Sequence, residues 1–577
     1  VHLSVLGIAT ATIMSYLAAV TRPLMVEELS AADRSLLALL GLAGAVLVVS
    51  DAITTMKEIR RIVQFLALLL GLAALLAVSQ YVLGYDPLAG VSFPGLDIVV
   101  DYETDSRAGL TRANGTAVHP IEYGAVIVMG LPLLIHAAAF ARRFRILAWG
   151  AVLVALLSIV MALSKSSILG FLVVFLVMVP TWPRVWRWVS IAVLALGAIG
   201  ARAIFPGLLG TLIASFTFIS VDPSTQGRTQ DYEAVVKFFA ERPLFGLGEG
   251  TFLPQLYRIL DNQYLLTLVV QGLVGLTALL FSFLAAIWLA ARTRRLSADK
   301  EVRHLAQALL ASTCAAMLMW TLFDAYSFPQ AFTELLIVFG LIAALSRVSA
   351  DEANRSPGPS APRSRRQALI SMGVAAVIVG GATFAWYGQV QYVATATTLI
   401  RPSDAQFGVF TADDGGPAAS LLADYLGSRA GQRDVRNRGG TAACTTAQGD
   451  GSLVPLTEYR GVGSVFRVQA IADSPEAARA TLDACLASAA EELRRAQANV
   501  DSPEPFLARM EVVAISGPQE RQGSRVRTAA AVILAWAATS GFIYAATASI
   551  RTAVLRRRMN RGAPAPDDPA PVEEAAT

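Results

Sequence analysis

Gln226-Gly-Arg228-Thr-Gln-Asp231-Tyr-Glu233, followed by Arg242-Pro-Leu-Phe-Gly246-Leu-Gly248-Glu249-Gly250-Thr-Phe252 and then Asp261-Asn262-Gln-Tyr264, is a polar island in an otherwise apolar sequence. Apolar segments flank it at 185–204 and 263–291. The contrast decides the fold. Backbone that is neither helical nor paired cannot face lipid, so the island lies outside the hydrocarbon while its flanks cross it.

The rest of the chain agrees. Its 577 residues are 55% hydrophobic and 16% charged, with mean hydropathy +0.54. Soluble domains carry roughly a quarter charged residues. Apolar runs recur at the length a helix needs to cross roughly 30 Å of hydrocarbon. The expected class is an all-α polytopic membrane protein. Twelve spans are read at 3–20, 35–52, 62–84, 118–139, 146–163, 166–180, 185–204, 263–291, 304–323, 328–347, 367–388 and 526–547.

That count places every Arg cluster in a short loop on one side. The clusters are Lys57-Glu-Ile-Arg60-Arg61, Arg142-Arg143-Phe-Arg145, Arg184-Val-Trp-Arg187, Arg292-Thr-Arg294-Arg295, Arg363-Ser-Arg365-Arg366 and Arg556-Arg557-Arg558. By the excess of Lys and Arg in cytoplasmic loops, that side and both termini are cytoplasmic. The first span has no basic region before it and no cleavage site, so it reads as an anchor helix.

Residues 1–350 form the polytopic body, with its long outer loop at 205–262. A Ser-, Pro- and Arg-rich stretch from 348 leads into a cytoplasmic linker at 351–366, a flexible joint. Residues 367–550 form a two-helix module holding an outer domain at 389–525, and 551–577 is a Pro-, Ala- and acid-rich tail expected to be disordered. In the outer domain, Ser464–Ile471 alternates as a strand, Asp473-Ser-Pro475-Glu476 starts a helix reaching about Gln497, and Met510–Ile515 reads as another strand. The domain is α+β.

Inside the island, Tyr232, Val235, Val236 and Phe239 share one helical face, predicting a helix from Thr229 to Glu241 that Arg242-Pro243 ends. Arg228 would then sit at a helix N-terminus, whose free N–H groups favour phosphate. Gly246, Gly248 and Gly250 follow no strand, so they are not a dinucleotide fingerprint; they let backbone pass close to a ligand or to another helix.

The outer-side cations of the body are Arg107, Arg112, Lys165, Arg202, Arg228, Arg242 and Arg258. Each can be read as a snorkelling helix-end anchor. Lys165 stands apart, because it lies between hydroxyls in Ser164-Lys165-Ser166 at a tight turn between spans. Asp261, Glu249, Glu122, His119 and Asp231 are the acid–base candidates; capping or interfacial packing is the alternative for His119. Glu334 and Asp324 are further acids that could pair with these cations. Cys314 lies within a span, whereas Cys444 and Cys485 share the outer domain and suit one disulfide. No Cys/His set has zinc spacing, so no metal is expected, and there is no P-loop, nucleophile elbow or nucleic-acid module.

Over about 60–350 the chain resembles the O-antigen polymerase/ligase superfamily of bacterial membrane glycosyltransferases. The resemblance rests on Arg107-Ala-Gly109-Leu, His119-Pro-Ile-Glu122-Tyr-Gly124, Ser164-Lys165-Ser166, Gly227-Arg228, Arg242-Pro243-Leu-Phe-Gly246-Leu-Gly248, Asp261-Asn262-Gln-Tyr264-Leu and Gln271-Gly272-Leu-Val-Gly275-Leu. The family usually has Ser-Arg where this chain has Ser164-Lys165, which keeps the charge but loses the bidentate fork. Its ligases typically carry His where this chain has Asp261, which favours a polymerase. The terminal module resembles a chain-length determinant, or polysaccharide co-polymerase, through Tyr392-Val-Ala-Thr-Ala and Gly517-Pro518.

The resemblance implies polymerisation of polyprenyl-diphosphate-linked repeat units at the outer face of the bacterial plasma membrane, with a fused length-regulating module. Arg228, Lys165, Arg107 and Arg242 would bind the diphosphate. Asp261 would be the base, with Glu249 second and His119 a further catalytic candidate; Glu122, Asp231, Asn262, Tyr264, Gly246 and Gly248 would support them. The implied enzyme is inverting, needs no cofactor, and has as partners the lipid-linked glycan, membrane lipid, further copies of itself through the module, and other polysaccharide-assembly proteins. The alternatives are ligase-like transfer to another envelope acceptor, and a non-catalytic lipid-glycan flippase or scaffold.

Overall fold

The computed structural model describes residues 2–21, 24, 26–84, 86, 106–107, 110–204, 223–254, 257, 259–353, 365–386, 391–401, 422, 425–426, 428–441, 444–448, 464–497, 509–521 and 525–562. It begins with α1 (His2–Val20), α2 (Val26–Ala52) and α3 (Met56–Leu83), then a short hairpin of β1 (Ser106–Arg107) and β2 (Leu110–Thr111). Next come α4 (Pro120–Ala139), α5 (Arg145–Met161), α6 (Lys165–Met178) and α7 (Arg184–Ile204). The polar island holds α8 (Pro223–Glu241) and leads into α9 (Gln263–Val270), α10 (Gly272–Leu296), α11 (Lys300–Met319) and α12 (Pro329–Ala353).

Nine helices of the described residues are long and apolar enough to cross a membrane, and α5 and α6 are shorter apolar helices. The chain is a multi-pass membrane protein. Its core is one apolar cluster shared by α2 to α6 and α10 to α12, centred on Tyr123, Phe283, Trp320 and Phe323.

Local chemistry sets the helix starts. Thr55 and Glu58 form a reciprocal capping box at α3. His119 caps α4, with Pro120 in its first turn. Asn262 caps α9, and Asp299 caps α11. Cross-links gather the Arg-rich ends of the helices at one end of the bundle. Arg60 forks onto Glu301 with two bonds of 2.7 Å, Arg347 donates to Asp51 and to the Ile53 carbonyl, and the rings of His136 and His304 meet at 3.1 Å. Residues 112–119, the 162–164 turn and the 320–330 segment meet at the opposite end, where Ala113 donates to the Met161 carbonyl and the Gln330 side chain to that of Thr116.

Three expectations are corrected. The helix of the island starts at Pro223, not Thr229, so Arg228 lies in its second turn and not at an N-terminus; Pro223 is itself suited to a first turn. The span read as continuous over 263–291 is broken into α9 and α10, for reasons given below. Helix α12 continues to Ala353, so the stretch from 348 begins as helix; 354–364 lies outside the described residues.

The terminal module consists of α13 (Arg365–Trp386), β3 (Gln391–Arg401), α14 (Arg429–Asn437), β4 (Cys444–Gln448), β5 (Ser464–Ala472), α15 (Pro475–Gln497), β6 (Arg509–Arg521) and α16 (Arg525–Gly562). Its sheet runs β4-β5-β3-β6, with every pairing antiparallel. Leu482, Cys485 and Ala489 of α15 pack on Val468 and Ala470 of β5, a small α+β core of its own. Helix α16 runs to Gly562, so residues 551–562 of the tail expected to be disordered are helical, and 563–577 lies outside the described residues.

The module's helices also pack onto the body. Val379 of α13 and Ala531 and Ala535 of α16 share a buried cluster with Ile13, Leu17 and Val20 of α1. Thr528 donates to the Val20 carbonyl at 3.2 Å, and Arg527 pairs with Asp33 of α2 at 3.2 Å. Tyr16 donates to the same carboxylate at 2.6 Å.

Candidate functional site

The break between α9 and α10 is made by two backbones crossing. The loop at 243–248 runs against the break and hydrogen-bonds with it from both sides. Leu247 and Gly248 donate to the carbonyls of Val269 and Val270, each at 2.9 Å, while Leu273 and Val274 donate to those of Pro243 and Leu244 at 2.9 and 3.1 Å. These bonds satisfy groups that a continuous helix would have satisfied internally. Gly246 and Gly272 sit at the crossing with φ of +70° and +65°. A Cβ on Gly246 would overlap the Val270 carbonyl, and one on Gly272 would overlap that of Leu244. Only glycine tolerates both the left-handed backbone and the approach. Gly248 lies against Ala19 of α1, and Gly250 against Ser35 of α2. The loop glycines therefore serve contact with helices.

Glu249 is enclosed by this crossing. Its amide donates to Ser15 Oγ at 2.9 Å, Ser15 donates to the Val270 carbonyl at 2.7 Å, and Gln271 Nε2 donates to its carboxyl at 2.7 Å. Burial pushes the carboxyl from an ordinary 4.5 up to about 7, with the Gln271 bond acting in the opposite direction. Arg242 lies on the same side of the loop, and its guanidinium donates to the Ala18 carbonyl at 3.3 Å. Both groups tie the loop to α1.

A second polar group forms at the α5–α6 turn. Ala113 donates to the Met161 carbonyl, and the buried Arg112 donates through Nε to the Ala162 carbonyl at 3.2 Å. Leu163 is held left-handed at φ +49°, an uncommon conformation for a bulky residue and one that marks strained, often functional, positions. It turns the chain so that Lys165 begins α6, half-buried, between Ser164 and Ser166, whose hydroxyls meet at 2.8 Å. Arg112 and Lys165 thus flank one turn.

The start of α4 and the 320–330 segment form a third group. His119 Nδ1 accepts from the Ile121 amide at 3.1 Å and its ring stacks on Phe328, the capping alternative raised for it above. Glu122 is fully buried and accepts from the amides of Gln330 at 2.7 Å and Val118 at 3.1 Å, which locks α12 to α4. Asn262 accepts from the amides of Tyr264 and Leu265, and Tyr264 donates to the Met317 carbonyl.

Gln263 binds this segment to α9. Its amide reaches the carbonyls of Trp320 and Phe323, and its side chain accepts from Tyr326 at 2.8 Å. That tether brings Asp261 within electrostatic reach of Asp324. Burial lifts the Asp324 carboxyl above its ordinary range, Ser327 hydrogen bonding pulls it down, and the charge of Asp261 adds to the rise. Tyr326 is raised mainly by burial, with the nearby charge of Glu249 adding to the rise. Asp261 itself is half-exposed.

Asp231 is buried on α8. Arg107 has only its backbone described, in β1; the side chains of Arg228 and Arg202, and all of Arg258, lie outside the described residues. Cys314 is a free thiol and Cys485 is disulfide-bonded; the side chain of Cys444 lies outside the described residues. No group of three or more His, Cys, Asp or Glu that could hold a metal occurs among the described residues. Ser15 and Leu163 escaped the sequence reading, and Gln263 and Gln271 entered it only as motif members without a role, since a lone polar or left-handed residue in an apolar span gives no local signal of what it meets.

The fold defines the class as a multi-pass helical membrane protein, with polar groups at both ends of the bundle. Residues 150–280 match the O-antigen ligase family, which supports a likeness of that segment to the O-antigen polymerase/ligase superfamily. The match runs from α5 to the first turns of α10, and so includes the Lys165 turn, the glycine crossing and Asp261. No curated protein matches the chain.

Proposed function

We propose that the chain polymerises polyprenyl-diphosphate-linked repeat units at the outer face of a bacterial plasma membrane, with both termini cytoplasmic. The observation that carries this reading is the placement of charge. A cationic turn bearing Arg112 and Lys165, and a carboxylate pair of Asp261 and Asp324, lie at the same end of the bundle, opposite the Arg-rich end. The Arg-rich end is the cytoplasmic one by the distribution of short-loop cations.

In this reading the cations, joined by Arg107, Arg228 and Arg242, neutralise charge on the lipid diphosphate as it leaves. In a water-poor pocket such stabilisation is worth several kcal/mol. Asp261 takes the proton of the acceptor hydroxyl while its oxygen attacks the anomeric carbon. The C–O bond to the diphosphate breaks, the electron pair leaves with the phosphate, and the configuration inverts. Glu249, closed in by Ser15 and Gln271, positions the loop instead of acting as the base. The terminal module acts as a length regulator.

The family match favours a second reading, transfer of a finished glycan to another acceptor. Expression of the full chain in a strain lacking it, with the glycan sized on a gel, separates the two: a ladder of repeats supports polymerisation and a single addition supports ligation. Asp261→Asn at normal membrane level should abolish either product, and Asp261→His should restore part. If Asn works as well as Asp, Asp261 is not the base.

A further inference from the structure

At the Arg-rich end, far from the groups above, the flank of the bundle carries a groove of about 300 Å³ between α4, α5, α6 and α7. That volume is at the lower bound for small-molecule sites. Its walls are apolar side chains such as Ile135, Val152, Phe171 and Val193, with Ser190 the one hydroxyl. Along α7 it runs from Trp186 to Leu194, about 12 Å at the helical rise. On the flank of a membrane-spanning bundle, an open apolar groove of this size faces lipid acyl chains.

The mouth is chemically distinct. Trp149 and Trp186 stack there with centroids 6.3 Å apart and planes 3° from parallel. Trp182 lines the mouth beside them, and its carbonyl accepts from Arg187 at 2.8 Å. Tryptophan at this depth marks the membrane interface. Arg142, Arg143, Arg145, Arg184 and Arg187 are exposed on the two segments that form the mouth. Residues 140–190 contain no Asp or Glu, so nothing there neutralises them.

The geometry points to a structural lipid site: one acyl chain of an anionic glycerophospholipid occupies the groove, and its phosphate rests on the Arg142, Arg143 and Arg184 side chains. A zwitterionic lipid fills the same walls but gains less from the cations. The tail of a polyprenyl diphosphate also fits the walls, but its diphosphate would then lie at the end opposite Lys165 and Asp261.

The test uses the full chain in nanodiscs of equal phosphatidylglycerol and phosphatidylcholine with identical acyl chains, released into native mass spectrometry. One retained lipid is expected, with phosphatidylglycerol in at least about tenfold excess, since three Arg side chains face its net negative headgroup. The triple variant Arg142→Gln, Arg143→Gln, Arg184→Gln leaves the walls intact and should remove the preference. Ser190→Trp should displace the lipid altogether, and Ser190→Leu weaken it, at unchanged monodispersity. Equal retention of phosphatidylcholine, a preference that survives the triple variant, or a retained polyprenyl diphosphate each overturns the assignment.

Discussion

Glu249→Gln separates a carboxyl that positions a loop from one that does chemistry. The wild-type carboxyl is enclosed, with Gln271 donating to it, and its pKa rises from 4.5 to about 7 because burial disfavours the charged form. The folded state therefore holds this proton more tightly than the unfolded state does. The stabilisation from the neutral form is fully present below about 4.5 and is lost as pH rises through about 7. A rise from 4.5 to about 7 amounts to roughly 3 kcal/mol at about 1.4 kcal/mol per pKa unit. Glutamine imitates the protonated acid, since it keeps an acceptor for Gln271 and carries no charge. The variant should lie within about 1 kcal/mol of wild type at pH 5 and melt about 6–12 °C higher at pH 8, taking roughly 2–4 °C per kcal/mol. Intrinsic tryptophan fluorescence of the detergent-solubilised chain at both pH values reads the midpoint. Glycan assembly should persist in the variant. An unchanged pH dependence would refute the buried-proton argument, and loss of assembly at a normal midpoint would return Glu249 to the chemistry.

Other consequences are more direct. Gly272→Ala places a Cβ on the Leu244 carbonyl and forces φ +65°, so it should lose at least the roughly 1–2 kcal/mol of a left-handed residue, whereas Gly373→Ala, inside α13 with open space around it, should be neutral or stabilising by up to about 1 kcal/mol in the same melting assay. Arg228→Ala should abolish glycan assembly at normal membrane level and Arg228→Lys should keep part of it; full activity in the Ala variant would remove its diphosphate role. Cys444 and Cys485 should form one bridge contributing on the order of 3–4 kcal/mol, so that maleimide under non-reducing, denaturing conditions labels Cys314 alone. A chain ending near Ser360 uncovers the face of α1 that packs on Val379, Ala531 and Ala535, so it should melt earlier than the full chain and, if the module regulates length, yield a broader glycan distribution; an unchanged midpoint would mean that this packing contributes nothing.

The sequence by itself determined the class, the helix-bearing segments and the end at which polar groups collect. Hydrophobic length and the spacing of Arg clusters are local quantities, and lipid enforces them without help from distant residues. It also determined several helix starts, such as Ser474-Pro475, because caps act within one turn. It did not determine that 263–291 breaks after Val270. The break depends on backbone bonds from 243–248, a segment some 25 residues away, and apolar composition is the same for one helix or two. Nor could the sequence decide between carboxylates. Asp261, Glu249, Glu122 and Asp324 look alike as letters; the tertiary structure encloses Glu249, locks Glu122 between α4 and α12, and leaves Asp261 half-exposed within electrostatic reach of Asp324. The docking of α13 and α16 on α1 was equally invisible, since every apolar span offers faces that either lipid or another helix can cover. Which of the two covers each face is settled only when all the helices are in place.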